Sequence, residues 1–466
     1  MDTRRKILFG ILAFIAGGAL LGVLVTVIPE RVFGGFGVRT PFATKDIPAT
    51  IETDTSAHAS IVIESTPDIG VRIHPFTAVR AELLAAHTAF IEVDISDRQI
   101  YFYDETGART VTPVRTTGDP QGWGGTPAGL YTVLSKNKLA FSASAEAYMP
   151  DAIHFYGKYF LHGEPYYPDG QKINSNVSGG CVQIGDEYTA QLFANAKVGM
   201  PVLVIDTPYD TFEYPRGANL PIPNISAKSY LVADLDSGEI LAEKNATAAH
   251  SIASITKLMT TVVVAEHTDL RKSITASSDS VERGFSGTGG LNVGGSYRLV
   301  ELLYPLLIES SNDAAEVLTG FLGRDKTIRL MNEKADSLFM SDTTYVDPSG
   351  YSDENVSTAH DLYLLGRYIN NNRKPMFEIT KGQKVTTFGP VRFSTTSLWN
   401  KNEFHGDPDF IGGKTGYITA SRYTGLFLFR TLVKGEEREI AVVVLKSESL
   451  KSDTQALKLW VEENYR

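Results

Sequence analysis

The sequence predicts a multidomain protein with an N-terminal transmembrane helix, a mostly β domain and then an α/β (α+β) domain. Its 466 residues are enough for two or three domains at about 150 residues each. Residues 7–28 carry no charged side chain, and four prolines within residues 207–226 would break any helix or central strand there. The predicted order is a cytoplasmic N-terminus at 1–6, a transmembrane helix at 7–28, a stalk at 29–87, a first domain at 88–206, a linker at 207–226 and a second domain at 227–466.

The uncharged segment from Ile7 to Ile28 is long enough to cross a membrane. Its 22 residues span about 33 Å as a helix, against a hydrocarbon core of about 30 Å. Arg4, Arg5 and Lys6 precede it and favour a cytoplasmic N-terminus. A cleaved signal peptide usually has a shorter apolar core and a small-residue cleavage site, which residues 25–29 lack. We therefore expect an uncleaved single-pass anchor in the cell membrane, with both domains on the extracytoplasmic side; a cleaved signal is the alternative.

The composition excludes one class of partner and gives no sign of a cofactor. Hydrophobic and charged residues make up 42% and 21% of the chain, as in ordinary globular proteins. The net charge of −10 argues against a nucleic-acid partner, which needs a basic patch. No group of histidines, cysteines and carboxylates has the spacing of a metal site, so we predict neither a metal nor a cofactor. Residues 29–87 are rich in small residues and proline and predict a stalk, although the helix-like stretch 78–86 could pack on the next domain.

The first domain contains the single cysteine of the chain, Cys181, which therefore has no partner for an intramolecular disulfide. It follows two glycines, where backbone can approach a ligand closely and direct amides at an oxyanion. His162, nineteen residues upstream, is a candidate base for the thiol proton. The alternative interpretation of this pair alone is a buried small hydrophobic residue and a loop histidine.

Residues 88–206 resemble an L,D-transpeptidase catalytic domain with the YkuD-like fold. The matching motifs occur in the family's order, namely Thr116-Thr117-Gly118, residues 126–131, His162-Gly163 and Ser178-x-Gly180-Cys181. The resemblance implies that Cys181 is the nucleophile and that His162 is its base. The sequence departs from the family at Gly179 and Gln183, where the family often has His and Arg respectively.

The same resemblance implies how this site holds its substrate. Gly163 and the backbone amides around Gly180 and Cys181 would bind the tetrahedral intermediate, and Ser178 belongs to the same substrate-binding loop. His154 lies in a predicted strand pair beside this region and is expected to line the groove or to pack next to it.

The second domain opens with a strand–turn–strand pattern at residues 229–241 and continues into a helix that carries Ser254 and Lys257. Residues three apart share a helix face, so the amine can reach the hydroxyl, and a neutral lysine can accept the serine proton. One Ser-x-x-Lys match is weak evidence, because Ser135 and Lys138 have the same spacing.

Two further motifs turn the weak Ser-x-x-Lys match into part of a specific signature. They are Ser310-x-Asn312 and Lys414-Thr415-Gly416. In this order the three motifs form the signature of penicillin-binding proteins and serine β-lactamases. They imply a penicillin-binding-protein/β-lactamase-like fold for this domain.

Residues 227–447 more closely resemble the low-molecular-mass D-alanyl-D-alanine carboxypeptidases, the S11 serine peptidases, in runs such as SITKLMT, LLIESSNDAAEVL and GGKTGYITASRYTG. The resemblance implies that Ser254 is acylated with Lys257 as its base. It also implies that Ser310 and Asn312 relay protons and hold the peptide amide. Lys414 and Thr415, beside Gly416, would bind the terminal carboxylate. The Tyr417 amide would complete the oxyanion hole with the amide of Ser254. Peptidoglycan stem peptides are then the substrates, and β-lactams are covalent inhibitors.

The two resemblances together predict a reaction sequence. Ser254 would trim pentapeptide stems to tetrapeptides, and Cys181 would use those tetrapeptides for 3→3 cross-linking or attachment. Two alternatives stay open. In one, only the serine site is active and the cysteine domain binds peptidoglycan; in the other, the protein is a β-lactam sensor or resistance protein.

Overall fold

The computed structural model describes residues 72–206, 209–215, 220–285, 287–385, 388–393 and 396–465. These residues belong to one compact unit that includes both predicted domains. The predicted transmembrane helix at 7–28 lies outside the described residues, so it remains a prediction. Within the described ranges, no helix combines the length and the apolar character needed to cross a bilayer.

The first domain is built on a nine-stranded mixed sheet. Its strands are β1 (Phe90–Asp94), β2 (Gln99–Tyr103), β3 (Arg109–Thr116), β4 (Gly129–Thr132), β5 (Ser135–Ser142), β6 (Ala147–Tyr156), β7 (Tyr159–His162), β8 (Val182–Ile184) and β9 (Pro201–Ile205). They lie in the order β4-β9-β1-β2-β3-β8-β7-β6-β5. Helix α1 (Pro75–Ala85) precedes the sheet, and helix α2 (Asp186–Asn195) follows β8.

The parallel pair β7–β8 sets the position of the cysteine region. Leu161 pairs with Val182, and both side chains are buried in the hydrophobic core of the domain. His162 pairs with Gln183, one residue further along, so both side chains face the opposite side of the sheet. Cys181 precedes Val182 and shares this second face with Gln183.

Helix α1 and the residue before it belong to the folded unit, although the sequence places them in a stalk. Proline begins the helix at its first turn, where a missing amide costs nothing, and Phe76, Val79 and Leu83 are buried. The Arg80 guanidinium pairs with both carboxylate oxygens of the buried Glu92 on β1, at 2.5 and 2.8 Å. The stretch expected to pack on the next domain therefore does so.

The second domain contains a five-stranded antiparallel sheet with helices around it. The main strands are β10 (Ser229–Asp234), β11 (Ile240–Lys244), β16 (Phe410–Ile418), β17 (Arg422–Val433) and β18 (Glu436–Ser447), in the order β11-β10-β18-β17-β16. Two small two-stranded sheets are formed by β12 (His250–Ser251) with β15 (Val356–Ser357) and by β13 (Ser273–Thr275) with β14 (Ser296–Arg298).

The helices of this domain lie between β12 and β16 along the chain, apart from the last one, which follows β18. They are a short 3₁₀ helix (Ala253–Ile255), α3 (Thr256–His267), α4 (Ser278–Gly284), α5 (Leu299–Leu307), α6 (Asn312–Gly320), α7 (Arg324–Ser337), α8 (Ala359–Asn372), α9 (Pro375–Thr380) and α10 (Leu450–Tyr465). Every residue of α3 except His267 is buried, so this helix passes through the centre of the domain.

The segment predicted as a proline-rich linker packs on the second domain. Its described residues form no helix or strand, as the prolines predict. The Tyr214 hydroxyl donates to Asp234 at 2.6 Å, and Phe212, Ile222 and Ile225 pack against the core of the domain. The described part of the segment therefore belongs to the packed structure of the second domain.

Candidate active sites

The serine site begins where the 3₁₀ helix continues into α3. Ser254 lies in the 3₁₀ helix, and Lys257 lies in the first turn of α3, fully buried. The Lys257 amine is 2.9 Å from Ser254 Oγ, 2.7 Å from Asn312 Oδ1 and 2.5 Å from the carbonyl oxygen of Ser349. The predicted spacing therefore does bring the amine and the hydroxyl into contact.

These contacts favour Lys257 as a base. Burial lowers the pKa of Lys257 to about 7, although Asp347 and Glu316 act in the opposite direction. A neutral amine has two N–H groups and one lone pair. The Asn312 and Ser349 oxygens can only accept hydrogen bonds, so they take the two N–H groups. The lone pair is then left for the hydroxyl proton of Ser254.

The Ser310-x-Asn312 motif lies at the start of helix α6. Ser311 caps α6 by accepting from the Ala314 amide at 3.1 Å, which places Asn312 at the first helical position. Ser310 has a left-handed backbone, with φ of +63°, a strained conformation for a non-glycine residue. Its hydroxyl accepts from the Lys414 amine at 2.9 Å, so this motif touches both lysines of the site.

Strand β16 lies at the edge of its sheet and supplies the third motif. A side chain at Gly416 would lie 2.8 Å from the carbonyl of Ile252 and 2.9 Å from the amide of Ser254, so only glycine lets the strand come this close. Thr415 is partly buried, and the Tyr417 side chain is half exposed beside it.

Lys414 is almost fully buried, and its surroundings disfavour the ammonium form of its amine. Burial and the nearby Lys257 and Lys401 hold the pKa of Lys414 well below its usual range. A carboxylate arriving next to the amine would favour the ammonium form and raise this pKa. The Lys414 amine can therefore gain an ion pair with an anionic ligand.

The Ser349 carbonyl is a site group that the sequence did not reveal. The carboxylate of Asp347 accepts from the amides of Ser349, Gly350 and Ser352 at 2.7 Å each and so fixes the turn. A side chain at Gly350, whose φ is +79°, would overlap the carbonyl of Ala253. The Asp-Pro-Ser-Gly sequence signals a turn, but a backbone carbonyl as a lysine ligand has no signal in sequence.

At the cysteine site, His162 is held in one tautomer. Its Nδ1 lies 2.7 Å from the carbonyl oxygen of Gly163, and a carbonyl only accepts, so Nδ1 carries the proton. Nε2 is then the acceptor, as a base for a thiol requires. Burial lowers the pKa of His162 to about 4, although the bond to Gly163 acts in the opposite direction.

Cys181 is partly accessible, and its sulfur lies 3.8 Å from the carbonyl oxygen of Lys158. Burial of the thiol raises its pKa to about 11, while the Phe160 amide and the Lys158 ammonium favour the thiolate. The thiol and the His162 imidazole are therefore both neutral at pH 7. A neutral thiol becomes a nucleophile only when a base accepts its proton during the attack.

The loop before Cys181 is fixed by Ser178 and by a close ring contact. The Ser178 hydroxyl donates to the Cys181 carbonyl at 2.5 Å and accepts from the Gly180 amide at 3.0 Å. Gly180 has φ of +115°, and a side chain there would overlap the Tyr159 ring. Gly179, in contrast, has open space around its Cα, which leaves room for a side chain.

Two of the groups expected to bind the tetrahedral intermediate are engaged within the protein. The Gly163 amide donates to the Pro150 carbonyl at 2.9 Å, and the Gly180 amide donates to Ser178. The Cys181 amide makes no hydrogen bond to any described residue, so it is the remaining donor of the expected set.

His154 packs within the β6–β7 hairpin. Its ring stacks on Phe160 at 4.6 Å, and its Nε2 lies 3.0 Å from the Gly157 carbonyl.

No group of three or more His, Cys, Asp or Glu side chains in the described residues is arranged to hold a metal ion.

Comparisons with known proteins agree with both predicted resemblances. The sequence model of the D-alanyl-D-alanine carboxypeptidase family Peptidase_S11 matches residues 217–448, and that of the YkuD L,D-transpeptidase catalytic domain matches residues 88–204. The D-alanyl-D-alanine carboxypeptidase DacB2 of Mycobacterium tuberculosis is 35% identical over 45% of this chain and 72% of its own length. DacC of Escherichia coli is 28% identical over 51% of this chain and 62% of its own length.

Endopeptidases also occur among the relatives, for example the D-alanyl-D-alanine endopeptidase of Pseudomonas aeruginosa, 37% identical over 32% of this chain and half of its own length. A solved structure of a D-alanyl-D-alanine carboxypeptidase from Mycobacterium tuberculosis has a TM-score of 0.46 and 30% identity, and covers 53% of this chain and 95% of its own. The chain thus belongs to the D-alanyl-D-alanine carboxypeptidase family, S11, and joins to it an L,D-transpeptidase catalytic domain of the YkuD family.

Proposed function

We propose that this protein is a membrane-anchored peptidoglycan enzyme with two acyl-transfer sites that act in sequence. Ser254 removes the terminal D-Ala from pentapeptide stems, and Cys181 uses the resulting tetrapeptides for 3→3 cross-linking or attachment. The observation that carries the proposal is the Lys257 amine, buried, with a pKa near 7 and in contact with Ser254 Oγ. Both catalytic regions also lie in one compact unit.

At the serine site the chemistry is an acyl-enzyme peptidase reaction. Lys257 takes the Ser254 proton as Oγ attacks the carbonyl of the penultimate D-Ala, and the amides of Ser254 and Tyr417 bind the oxyanion. The terminal carboxylate pairs with Lys414, whose amine also contacts Ser310, and the proton that Lys257 has taken from Ser254 passes through Ser310 to the leaving amine of D-Ala. Water then cleaves the ester and restores Ser254. A β-lactam would acylate the same oxygen.

At the cysteine site the donor is the tetrapeptide that the first reaction produces. The Cys181 proton moves to His162 Nε2 as the sulfur attacks the carbonyl before the terminal D-Ala, and the thioester forms as D-Ala leaves with that proton. An amine acceptor then attacks the thioester and regenerates the thiol. The reaction needs a tetrapeptide, so trimming at Ser254 must precede it.

The surroundings of the serine site favour a peptidase over a β-lactamase. A β-lactamase needs a carboxylate that activates water for deacylation. Three acids near the site are already engaged: Glu316 pairs with Arg324 at 2.9 Å, Glu309 accepts from the amides of Gly289 and Trp399, and Asp347 fixes its turn. We expect acylation by nitrocefin with slow turnover.

The anchor belongs to the same proposal. Residues 7–28 would hold the enzyme in the cell membrane with both sites outside the cytoplasm, where peptidoglycan stems occur. The basic residues before this segment and its uncharged length support that arrangement.

The test is an incubation of the full chain with disaccharide-pentapeptide, followed by mass spectrometry, beside Cys181→Ala and Ser254→Ala. We expect tetrapeptide and 3→3 dimers from the wild type, only tetrapeptide from Cys181→Ala, and dimers from Ser254→Ala only when tetrapeptide is supplied. If the wild type makes tetrapeptide but no dimers, and Cys181→Ala behaves identically, the cysteine domain is a binding module and the two-step proposal fails.

A further inference from the structure

The turn between β6 and β7, residues 157–158, lies against the C-terminal end of α3, the helix whose other end carries the serine site. The Lys158 amine donates to the carbonyls of Ala265 and Thr268 at 2.9 and 2.8 Å. Ala265 lies in the last turn of the helix, where carbonyls have no partner within the helix, and Thr268 is the residue that follows its end. A side chain at Gly157 would lie 2.7 Å from the Glu266 carbonyl, so the two backbones touch.

Arg373, at the end of α8 in the carboxypeptidase domain, reaches two more segments of the cysteine domain. Its side chain is fully buried and donates to the Tyr159 hydroxyl at 3.0 Å and to the Gly125 carbonyl at 2.7 Å. The same guanidinium pairs with Glu266 on α3 at 2.8 Å. A further ion pair from Lys334 to Glu266, at 3.2 Å, completes a buried charge cluster between the domains.

The segments held in this way are those that contact the nucleophile loop. The Cys181 sulfur lies 3.8 Å from the Lys158 carbonyl. The Tyr159 ring lies where a side chain on Gly180 would be, and the Gly124 carbonyl lies 3.1 Å from the same point. The carboxypeptidase domain therefore reaches the back of the Cys181 loop through two contacts, one at Lys158 and one through Arg373.

The charge on Lys158 also acts on the thiol. The titratable groups that act on this amine are Arg373, Glu266, Asp269 and the thiol of Cys181. Burial lowers the pKa of Lys158 to about 8, so the amine is mostly protonated at neutral pH, and this ammonium favours the Cys181 thiolate. His162 is the other titratable group at the thiol, and its imidazole is neutral at that pH.

We propose that Lys158 and Arg373 are positioning residues for the cysteine site, so that the carboxypeptidase domain completes the L,D-transpeptidase site. The inference rests on the proposed function for its effect on cross-linking. Its effect on the reactivity of Cys181 can be measured without any cross-linking.

The first experiment measures alkylation of the full chain by iodoacetamide as a function of pH. Cys181 is the only cysteine in the sequence, so the rate reports on one sulfur. We expect Lys158→Met to lower the rate at neutral pH about three- to tenfold and to move the profile to higher pH, because the thiolate loses its nearby cation. Lys158→Arg, which keeps the cation, should restore most of the rate.

A matched control is available within the same sheet. Lys136 also donates to a carbonyl at a helix end, that of Ala196 after α2, but this contact lies entirely within the cysteine domain. Lys136→Met should leave the alkylation profile unchanged. Acylation of Ser254 by a fluorescent penicillin should be normal in every variant, which shows that the serine domain is folded.

Tyr159→Phe tests the second contact with little risk to folding. It removes only the hydroxyl to which Arg373 donates. It should lower the alkylation rate about threefold, because the loop behind the thiol loses one of its supports. Dimer formation from supplied tetrapeptide should slow by a similar factor through kcat, with KM unchanged.

A wild-type alkylation profile in Lys158→Met, or the same shift in Lys136→Met, would overturn the inference. A wild type that makes no dimers, but whose alkylation depends on Lys158 as expected, would remove the proposed transpeptidation and leave the link between the domains in place.

Discussion

At the serine site the candidate base contacts the candidate nucleophile, whereas at the cysteine site the thiol and the imidazole are both neutral and contact mainly backbone groups. Burial lowers the pKa of the base in each case, yet with opposite results. Lysine starts from 10.5, so burial brings Lys257 to about 7, where a base works well at neutral pH. Histidine starts from 6.5, and burial brings His162 to about 4. Burial thus brings the pKa of Lys257 close to neutral pH, but it moves the pKa of His162 away from neutral pH. The cysteine site therefore depends on proton transfer during the attack.

The largest expected effect tests whether contact with the nucleophile is what makes a lysine a base here. Lys257→Met should lower the kcat/KM for D-Ala release about a thousandfold, because no other described group contacts Ser254 Oγ as an acceptor. The measurement is release of D-Ala from pentapeptide. Lys138→Met is the matched control, since Lys138 has the same Ser-x-x-Lys spacing but pairs with Asp151 in the other domain. Comparable losses in the two variants would contradict the assignment.

The next effect tests how closely β16 must approach the nucleophile. Gly416→Ala should slow acylation by a fluorescent penicillin about a hundredfold, because the new methyl group would push against the Ile252 carbonyl and the Ser254 amide. The alkylation rate of Cys181 should not change. Gly406→Ala provides the control, since Gly406 has open space around it, and it should acylate like the wild type. Fast acylation of Gly416→Ala would show that the strand can shift at no cost.

The two sites should also differ in pH dependence. D-Ala release needs the unprotonated form of Lys257, so kcat/KM should rise about tenfold per unit as the pH increases towards 7 and then level off. Dimer formation from supplied tetrapeptide should be flat over the same range, because His162 is already neutral above about pH 4. Parallel assays with the two stem peptides make the comparison. A release profile that does not change on either side of pH 7 would remove Lys257 as the base.

The smallest effect concerns the loop at the cysteine site. Ser178→Ala removes the hydrogen bonds to the Cys181 carbonyl and from the Gly180 amide, and it should lower dimer formation about three- to tenfold. Release of D-Ala by the same sample should be unaffected, which serves as the internal control. Unchanged dimer formation would mean that the Tyr159 ring alone fixes the loop.

Sequence reasoning predicted which side chains of the serine site lie together. The three motifs predicted that Ser254, Lys257 and Asn312 belong together, and the structure places Lys257 between the other two. The family comparisons confirm both domain resemblances. The roles assigned to individual residues remain predictions, which the variants above address.

Other features lay beyond sequence reasoning for physical reasons. The Ser349 group that contacts Lys257 is a backbone carbonyl, which every residue has, so the residue type does not predict this contact. Arg373 and Gly125 are 248 positions apart and meet only because two domains pack together. The proline-rich segment predicted the absence of helix and strand correctly, but composition alone did not show that its aromatic side chains would be buried against the second domain.

Helix α3 has a consequence for the polymer on which this enzyme is proposed to act. Its 12 residues make a continuous spacer of about 18 Å between the start of the serine site and the turn behind the cysteine. In the proposed two-step reaction, the two sites would therefore be separated by a helix and not by a flexible linker.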